Sequence, residues 1–178
     1  MARIGYIVGS ISSTSINRSV FEALKLNSPE GVELTEIPIA ELPVYSPDFD
    51  ADYPQTARDF KAEIEAADAV IVSTPQYNDS FSGAVKNAVD WSSRPWGQHS
   101  FGGKPTAVAT ASIAPHGGSK AGGFLAAVLE FGEAKVLETQ LNVHVAEDTF
   151  DESGNFASVE RRAEARDFLT AIASNAGN

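Results

Sequence analysis

The sequence predicts a doubly wound α/β sandwich: a five-stranded parallel sheet in the order 2-1-3-4-5, with helices on both faces. Three observations predict it. Short apolar runs alternate with helical patterns five times along the 178 residues. Two of the runs, residues 4–8 (IGYIV) and 69–72 (AVIV), are continuously apolar, as strands covered on both faces of a parallel sheet are. The connections are long enough for right-handed crossovers, for which 2-1-3-4-5 is the simplest order.

The first strand, residues 4–8, is bounded by Gly9. Ser10, Ser12, Ser13, Thr14 and Ser15 follow, with Asn17 among the hydroxyl residues and Ser19 beyond. Val20, Phe21 and Leu24 then recur at helical spacing, so a helix opens near Ser15. Residues 31–37 alternate Val32, Leu34 and Ile37 after the breaker Ser28-Pro29-Glu30-Gly31, which predicts strand two. Pro38, Pro43, Pro47 and Pro54 punctuate residues 38–56 without a period. That stretch reads as irregular: a functional loop, an interface, or a plain connection.

Residues 56–67 place Ala57, Phe60, Ile64 and Ala67 on one helical stripe. Strand three runs into Pro75, and a polar turn, residues 76–80, leads to a helix over 82–91 with Phe81, Val85, Ala88 and Val89 on its apolar side. Trp91, Trp96 and Phe101 crowd the following loop, where they wall a ligand, make a subunit contact or pack locally. Residues 105–111 form strand four, and 112–121 a glycine-bearing loop. A helix through Phe124, Leu125, Val128 and Leu129 stops at Gly132. Strand five, residues 134–145, is interrupted around 138–140. A turn and a last helix, residues 158–173, bury Ala165, Phe168, Leu169 and Ile172. No repeat or linker divides the chain, so residues 1–178 are expected to form a single domain.

Composition excludes several classes. A net charge of −11 opposes a nucleic-acid partner or an anionic membrane surface. The chain has no cysteine, hence no disulfide, thiolate nucleophile or iron–sulfur site. His99 and His144 lie apart from each other and from carboxylates at ligand spacing, so no metal site is expected. The segment MARIGYIVGS lacks the apolar core of a signal peptide, and no apolar run spans a membrane. The expectation is a soluble, cytoplasmic protein.

In a 2-1-3-4-5 sheet, ligands bind at the carboxyl ends of strands one and three. The loops there are residues 10–17 and 75–80, with 112–118 beside them. The first has neither the GxGxxG spacing nor a Walker lysine. Its hydroxyls, and the free amides of a helix start, suit a phosphate dianion. They equally suit an ordinary Ser/Thr-rich helix cap.

Gly9-Ser10 followed by Ser15-Ile16-Asn17 resembles the G-S-x-R-x-x-S-x-N loop of the NADPH-dependent FMN reductase family. Pro75-Gln76-Tyr77-Asn78, followed by Gly83-Ala84-Val85-Lys86-Asn87-Ala88-Val89-Asp90-Trp91, is similar to that family's P-E-Y-N…G-x-L-K-N-A-x-D-W. Gly117-Gly118-Ser119-Lys120-Ala121 is close to its G-G-x-R-A. The family is flavodoxin-like and includes quinone, azo-dye and chromate reductases.

The resemblance implies FMN as cofactor and NADPH or NADH as co-substrate. It implies that Ser10, Ser12, Ser15, Ile16 and Asn17 surround the phosphate, and that Pro75, Gln76, Tyr77 and Asn78 lie along the isoalloxazine edge. Ser112, His116, Gly117 and Gly118 would approach the pyrimidine side. It implies no catalytic side chain, since the flavin relays hydride to a quinone, free flavin, azo compound or similar small acceptor. It also implies a homodimer or homotetramer. Departures are Ser12 where the family often has arginine, Gln76 for glutamate, Val85 for leucine and Lys120 for arginine. A flavodoxin-type electron carrier is the alternative, although the loop lacks that group's T-x-T-G-x-T. A receiver-type signalling domain is set aside, because no carboxylate ends strand one or three.

Overall fold

The computed structural model describes residues 1–176. Strands β1 (Ala2–Ile7), β2 (Val32–Glu36), β3 (Ala69–Thr74) and β4 (Pro105–Ser112) pair in parallel in the order β2-β1-β3-β4. The edge beyond β4 is formed by two short strands, β5 (Lys135–Val136) and β6 (Leu141–His144), both parallel to it. The order is the expected one, but the fifth strand is split and the sheet has six.

The split has a local cause. β5 pairs with Pro105 and Thr106, and β6 takes up the pairing again at Ala109, so four residues of the edge oppose two of β4. Residues 138–140 (ETQ) are polar and bulge away from the ladder.

Side chains alternate across the sheet, as the pleat requires. Ile4, Tyr6, Ala69, Ile71 and Ala109 face helices α1 (Ile16–Leu26) and α5 (Val159–Asn175). Ile7, Val70, Val72 and Val108 face α2 (Gln55–Ala66), α3 (Gly83–Ser92) and α4 (Ser119–Phe131). Tyr6 packs on Phe21 of α1 at 4.7 Å between ring centroids. The buried positions of α4 are Ala121, Gly122, Leu125 and Leu129; Phe124, expected on its apolar stripe, is exposed. Lys104 Nζ donates to the carbonyls of Glu65 (3.0 Å) and Ala67 (2.6 Å), closing the carbonyl end of α2.

The proline-rich stretch is irregular apart from one 3₁₀ turn, Pro47–Phe49, capped by Ser46. It is pinned onto α3. Asn87 Oδ1 accepts from the Tyr45 amide (2.9 Å), while Asn87 Nδ2 and Trp91 Nε1 donate to the Pro43 carbonyl at 3.0 and 2.7 Å. Tyr45, Phe49 and Tyr53 pack their rings around Trp91 at 5.2 to 5.6 Å. The three aromatics grouped from the sequence therefore part company. Trp91 and Phe101 are fully buried in the α2/α3/α4 core, whereas Trp96 is 68% exposed. The indole of Trp91 anchors the long loop.

Truncating Trp91 should then act on stability. Trp91→Ala is expected to lower the unfolding free energy by about 3–5 kcal/mol in urea denaturation. A loss below about 1 kcal/mol would show that the proline-rich stretch does not depend on this ring.

Candidate functional site

The chain ends of β1 and β3 are stitched together by side chains. Ser73 Oγ, near the end of β3, donates to the Ile7 carbonyl (3.1 Å) and accepts from the Gly9 amide (3.3 Å). Ser82, the N-cap of α3, donates from Oγ to the Gly9 carbonyl (2.6 Å) and accepts from the Val85 amide (3.2 Å). Thr74 Oγ1 accepts from the Ser82 amide at 3.0 Å. This close approach requires glycine at position 9: a Cβ there would sit 1.9 Å from the Ser73 carbonyl oxygen.

Loop 10–17 is shaped by its own hydroxyls. Ser10 Oγ accepts from the Ser12 amide and Ser12 Oγ from the Thr14 amide, at 3.4 and 3.3 Å. Ser15 is the N-cap of α1 and accepts from the Arg18 amide. Asn17 is 1% exposed, and neither polar atom of its carboxamide has a partner. Burying such atoms unpaired costs about 1–3 kcal/mol.

After β3 the chain makes a two-residue reversal. Tyr77 and Ser80 exchange amide-to-carbonyl bonds of 2.8 and 3.0 Å across Asn78 and Asp79, both at positive φ. Tyr77 stands half exposed on this hairpin, and Pro75 is buried at its root. After β4, the Thr110 hydroxyl donates to the Gly117 carbonyl (2.7 Å). Gly117 has φ +61°, and a Cβ there would lie 2.8 Å from the Asn142 carbonyl carbon, so only glycine lets this turn lie against β6. Exposed His116 accepts at Nδ1 from the Gly118 amide (3.2 Å), which leaves Nε2 to carry its proton when the ring is neutral.

Two contacts join the second and third loops. Lys120, in the first turn of α4, pairs with Asp79 at 2.6 Å and holds that carboxyl below the usual carboxylate range. Gln76 Oε1 accepts from the Ala121 amide at 3.3 Å, serving a helix start that has no side-chain cap of its own. The residues singled out from the sequence thus fall on three adjoining loops: Ser10, Ser12, Ser15, Ile16 and Asn17; Pro75, Gln76, Tyr77 and Asn78; Ser112, His116, Gly117 and Gly118.

Three participants were not legible as such. Ser82 and Thr110 read only as a helix start and a strand residue. Arg18 drew no reading from the sequence, yet it lines a cavity of about 240 Å³ with Ser10, Ser12 and Ser13. The roomier cavity of about 500 Å³, between α2 and the β1–β2 edge, contains none of the residues singled out. Among the described residues, no helix is long and apolar enough to cross a membrane, and no group of three or more histidines and carboxylates could hold a metal ion.

A parallel sheet in this order, with a hydroxyl-lined helix start at the switch point, defines a flavodoxin-like protein. A family model described as NADPH-dependent FMN reductase matches residues 2–148. A 2-hydroxy-1,4-benzoquinone reductase from a Burkholderia species is 36% identical, over 97% of this chain and 94% of that protein. An NAD(P)H-dependent FMN reductase of Pseudomonas aeruginosa is 33% identical, over 88% of this chain and 85% of its own. Among solved structures, the flavoenzyme NAD(P)H:(acceptor) oxidoreductase FerB from Paracoccus denitrificans matches with a TM-score of 0.91 at 30% identity, covering 98% of this chain and 96% of that one. The chain belongs to the NADPH-dependent FMN reductase family. It is an oxidoreductase that works with FMN and NAD(P)H, which sets the electron-carrier alternative aside.

Ser82 is the residue on which the junction should prove most sensitive. Ser82→Ala removes a helix cap and the donor to the Gly9 carbonyl, and is expected to cost about 2–3 kcal/mol. Urea denaturation checks it, and a loss under about 0.5 kcal/mol would mean the β1–β3 stitch is not formed.

Proposed function

We propose that the three loops together hold FMN, and that the enzyme passes reducing equivalents from NAD(P)H to a quinone or a similar small acceptor. The observation that carries the reading is Asn17: a buried carboxamide with both polar atoms unpartnered, in the first turn of α1, beside a loop of hydroxyls. A phosphate oxygen can accept from Asn17 Nδ2, and the helix start adds unpaired amides and a partial positive charge. The positions of glycine agree, since backbone approaches backbone at Gly9 and Gly117 with no room for a side chain.

In this reading Ser10, Ser12, Ser15, Ile16 and Asn17 receive the phosphate. Pro75, Gln76, Tyr77 and Asn78 flank the ring system from the hairpin after β3. Ser112, His116, Gly117 and Gly118 flank it from the turn after β4. When bound, FMN supplies hydride acceptance and release, the chemistry that side chains lack. The protein's part is binding and orientation. The Lys120–Asp79 pair and the Gln76 cap fix the hairpin against α4, so that Tyr77 presents its ring at a set height. His116 borders the third loop with Nε2 as a donor and is read as a rim residue that contacts substrate.

The quinone class is supported by the relatives, one of which is a 2-hydroxy-1,4-benzoquinone reductase. An assembly of two or four copies is supported by exposed Val44 and Trp96, on two loops that both pack beside α3. A cytoplasmic place fits dependence on the soluble nicotinamide pool.

Purified protein supplied with FMN is expected to show a flavin absorbance band that NADPH or NADH bleaches within a turnover. Benzoquinone should then restore it, with continuing NAD(P)H oxidation. Failure to bind FMN, or a bound flavin that neither nucleotide reduces, would overturn the reading.

A further inference from the structure

We infer that Arg18 is a phosphate-binding residue held in check by Glu36, its guanidinium shared between that carboxylate and the phosphate of FMN. The inference rests on reading loop 10–17 as the phosphate site. Residues 9–17 (GSISSTSIN) carry no charge at all. On a chain with a net charge of −11, a dianion approaching them is repelled at long range and met at short range only by neutral donors.

The cavity beside the loop supplies what the loop lacks. Ser10, Ser12 and Ser13 line it together with Arg18, Glu36 and Ile39, and Arg18 is the one basic residue in that lining. Arg18 lies in the first turn of α1, its amide bonded to Ser15 Oγ at 3.3 Å, so its stem starts at the same helix end that faces the loop. Its guanidinium forks onto Glu36 with bonds of 2.8 and 2.5 Å.

The two partners are not equally free. Glu36 is the last residue of β2, in register with Tyr6 in the ladder, whereas Arg18 carries its charge on a long flexible stem. The pair is also open to water, with side chains 44% and 31% exposed, and such pairs contribute little net stability. A phosphate dianion attracts the guanidinium with about twice the charge of a carboxylate at equal distance. Arg18 therefore turns toward phosphate when FMN arrives, and Glu36 weakens the grip by competing for it. Arg18 holds the Glu36 carboxyl below the usual carboxylate range.

A structural staple between α1 and β2 would respond alike to the loss of either partner; a checked cation would not. The test is titration of wild type, Arg18→Gln, Arg18→Lys and Glu36→Gln with FMN and with riboflavin, which lacks the phosphate, followed by flavin fluorescence. Arg18→Gln is expected to weaken FMN about tenfold, the size of one lost charge-assisted hydrogen bond, and to leave riboflavin unchanged. Arg18→Lys should retain most of the FMN affinity. Glu36→Gln should tighten FMN several-fold, again without moving riboflavin.

FMN affinity shifted in the same direction by Arg18→Gln and Glu36→Gln, or riboflavin shifted as much as FMN, would overturn the inference. So would unchanged FMN binding in every variant. Should Arg18→Gln fail to fold, Glu36→Gln decides it: FMN tightened with riboflavin unmoved supports the inference, and FMN weakened or unmoved overturns it. Wild type that binds no FMN would fail the proposed function itself. Wild type that binds FMN beside variants that bind it equally well would fail only the role of Arg18.

Discussion

The site depends on how closely the ends of β1 and β3 approach at Gly9. The Ser73 and Ser82 hydroxyls take up both the amide and the carbonyl of that glycine, and its missing Cβ leaves room for the Ser73 carbonyl. Each buried backbone group is thereby satisfied without a ladder partner. β1 and β3 are the neighbours from which the chain departs in opposite directions, the point at which sheets of this order bind ligands. The third loop lies beside the second because β4 lies next to β3, and Lys120 and Gln76 tie it to the hairpin.

The electrostatics follow from the same geometry. The chain is strongly acidic, yet no carboxylate stands in residues 9–17, and Glu36 beside that loop and Asp79 on the hairpin are each paired with a cation. The site is locally near neutral, and its donors are amides and hydroxyls. Such a surface recognises an anion through directed hydrogen bonds, which demands that the loop be held in shape before binding. The internal bonds of Ser10, Ser12 and Ser15 do that.

Much of the fold was legible because β1, β3 and β4 are buried on both faces and each long helix has one apolar stripe. The Ser15 cap, the start of α3 at Ser82 and the order of the sheet follow from period and punctuation. The candidate loops were legible because strand order puts them at one end. What escaped were relations set by tertiary contact. Nothing local in Trp91, Trp96 and Phe101 says that two go inside and one stays out; Tyr45, Phe49 and Tyr53, some forty residues earlier, decide it for Trp91. Phe124 sits at a helical spacing that fits a core, but Gly122 and Leu125 are the positions turned to β4 and β6. The pairing of Arg18 with Glu36 spans a crossover between two strands, whereas the interruption of the fifth strand at residues 138–140 was legible from its polar triplet.

The central claim, that three separate loops form one flavin site, is tested most directly by backbone hydrogen exchange with and without FMN. The account predicts that protection rises together in residues 9–17, 75–80 and 112–118, with the helices on the outer faces unchanged. Protection confined to one of these loops, or appearing instead along the cavity between α2 and the β1–β2 edge, would contradict it.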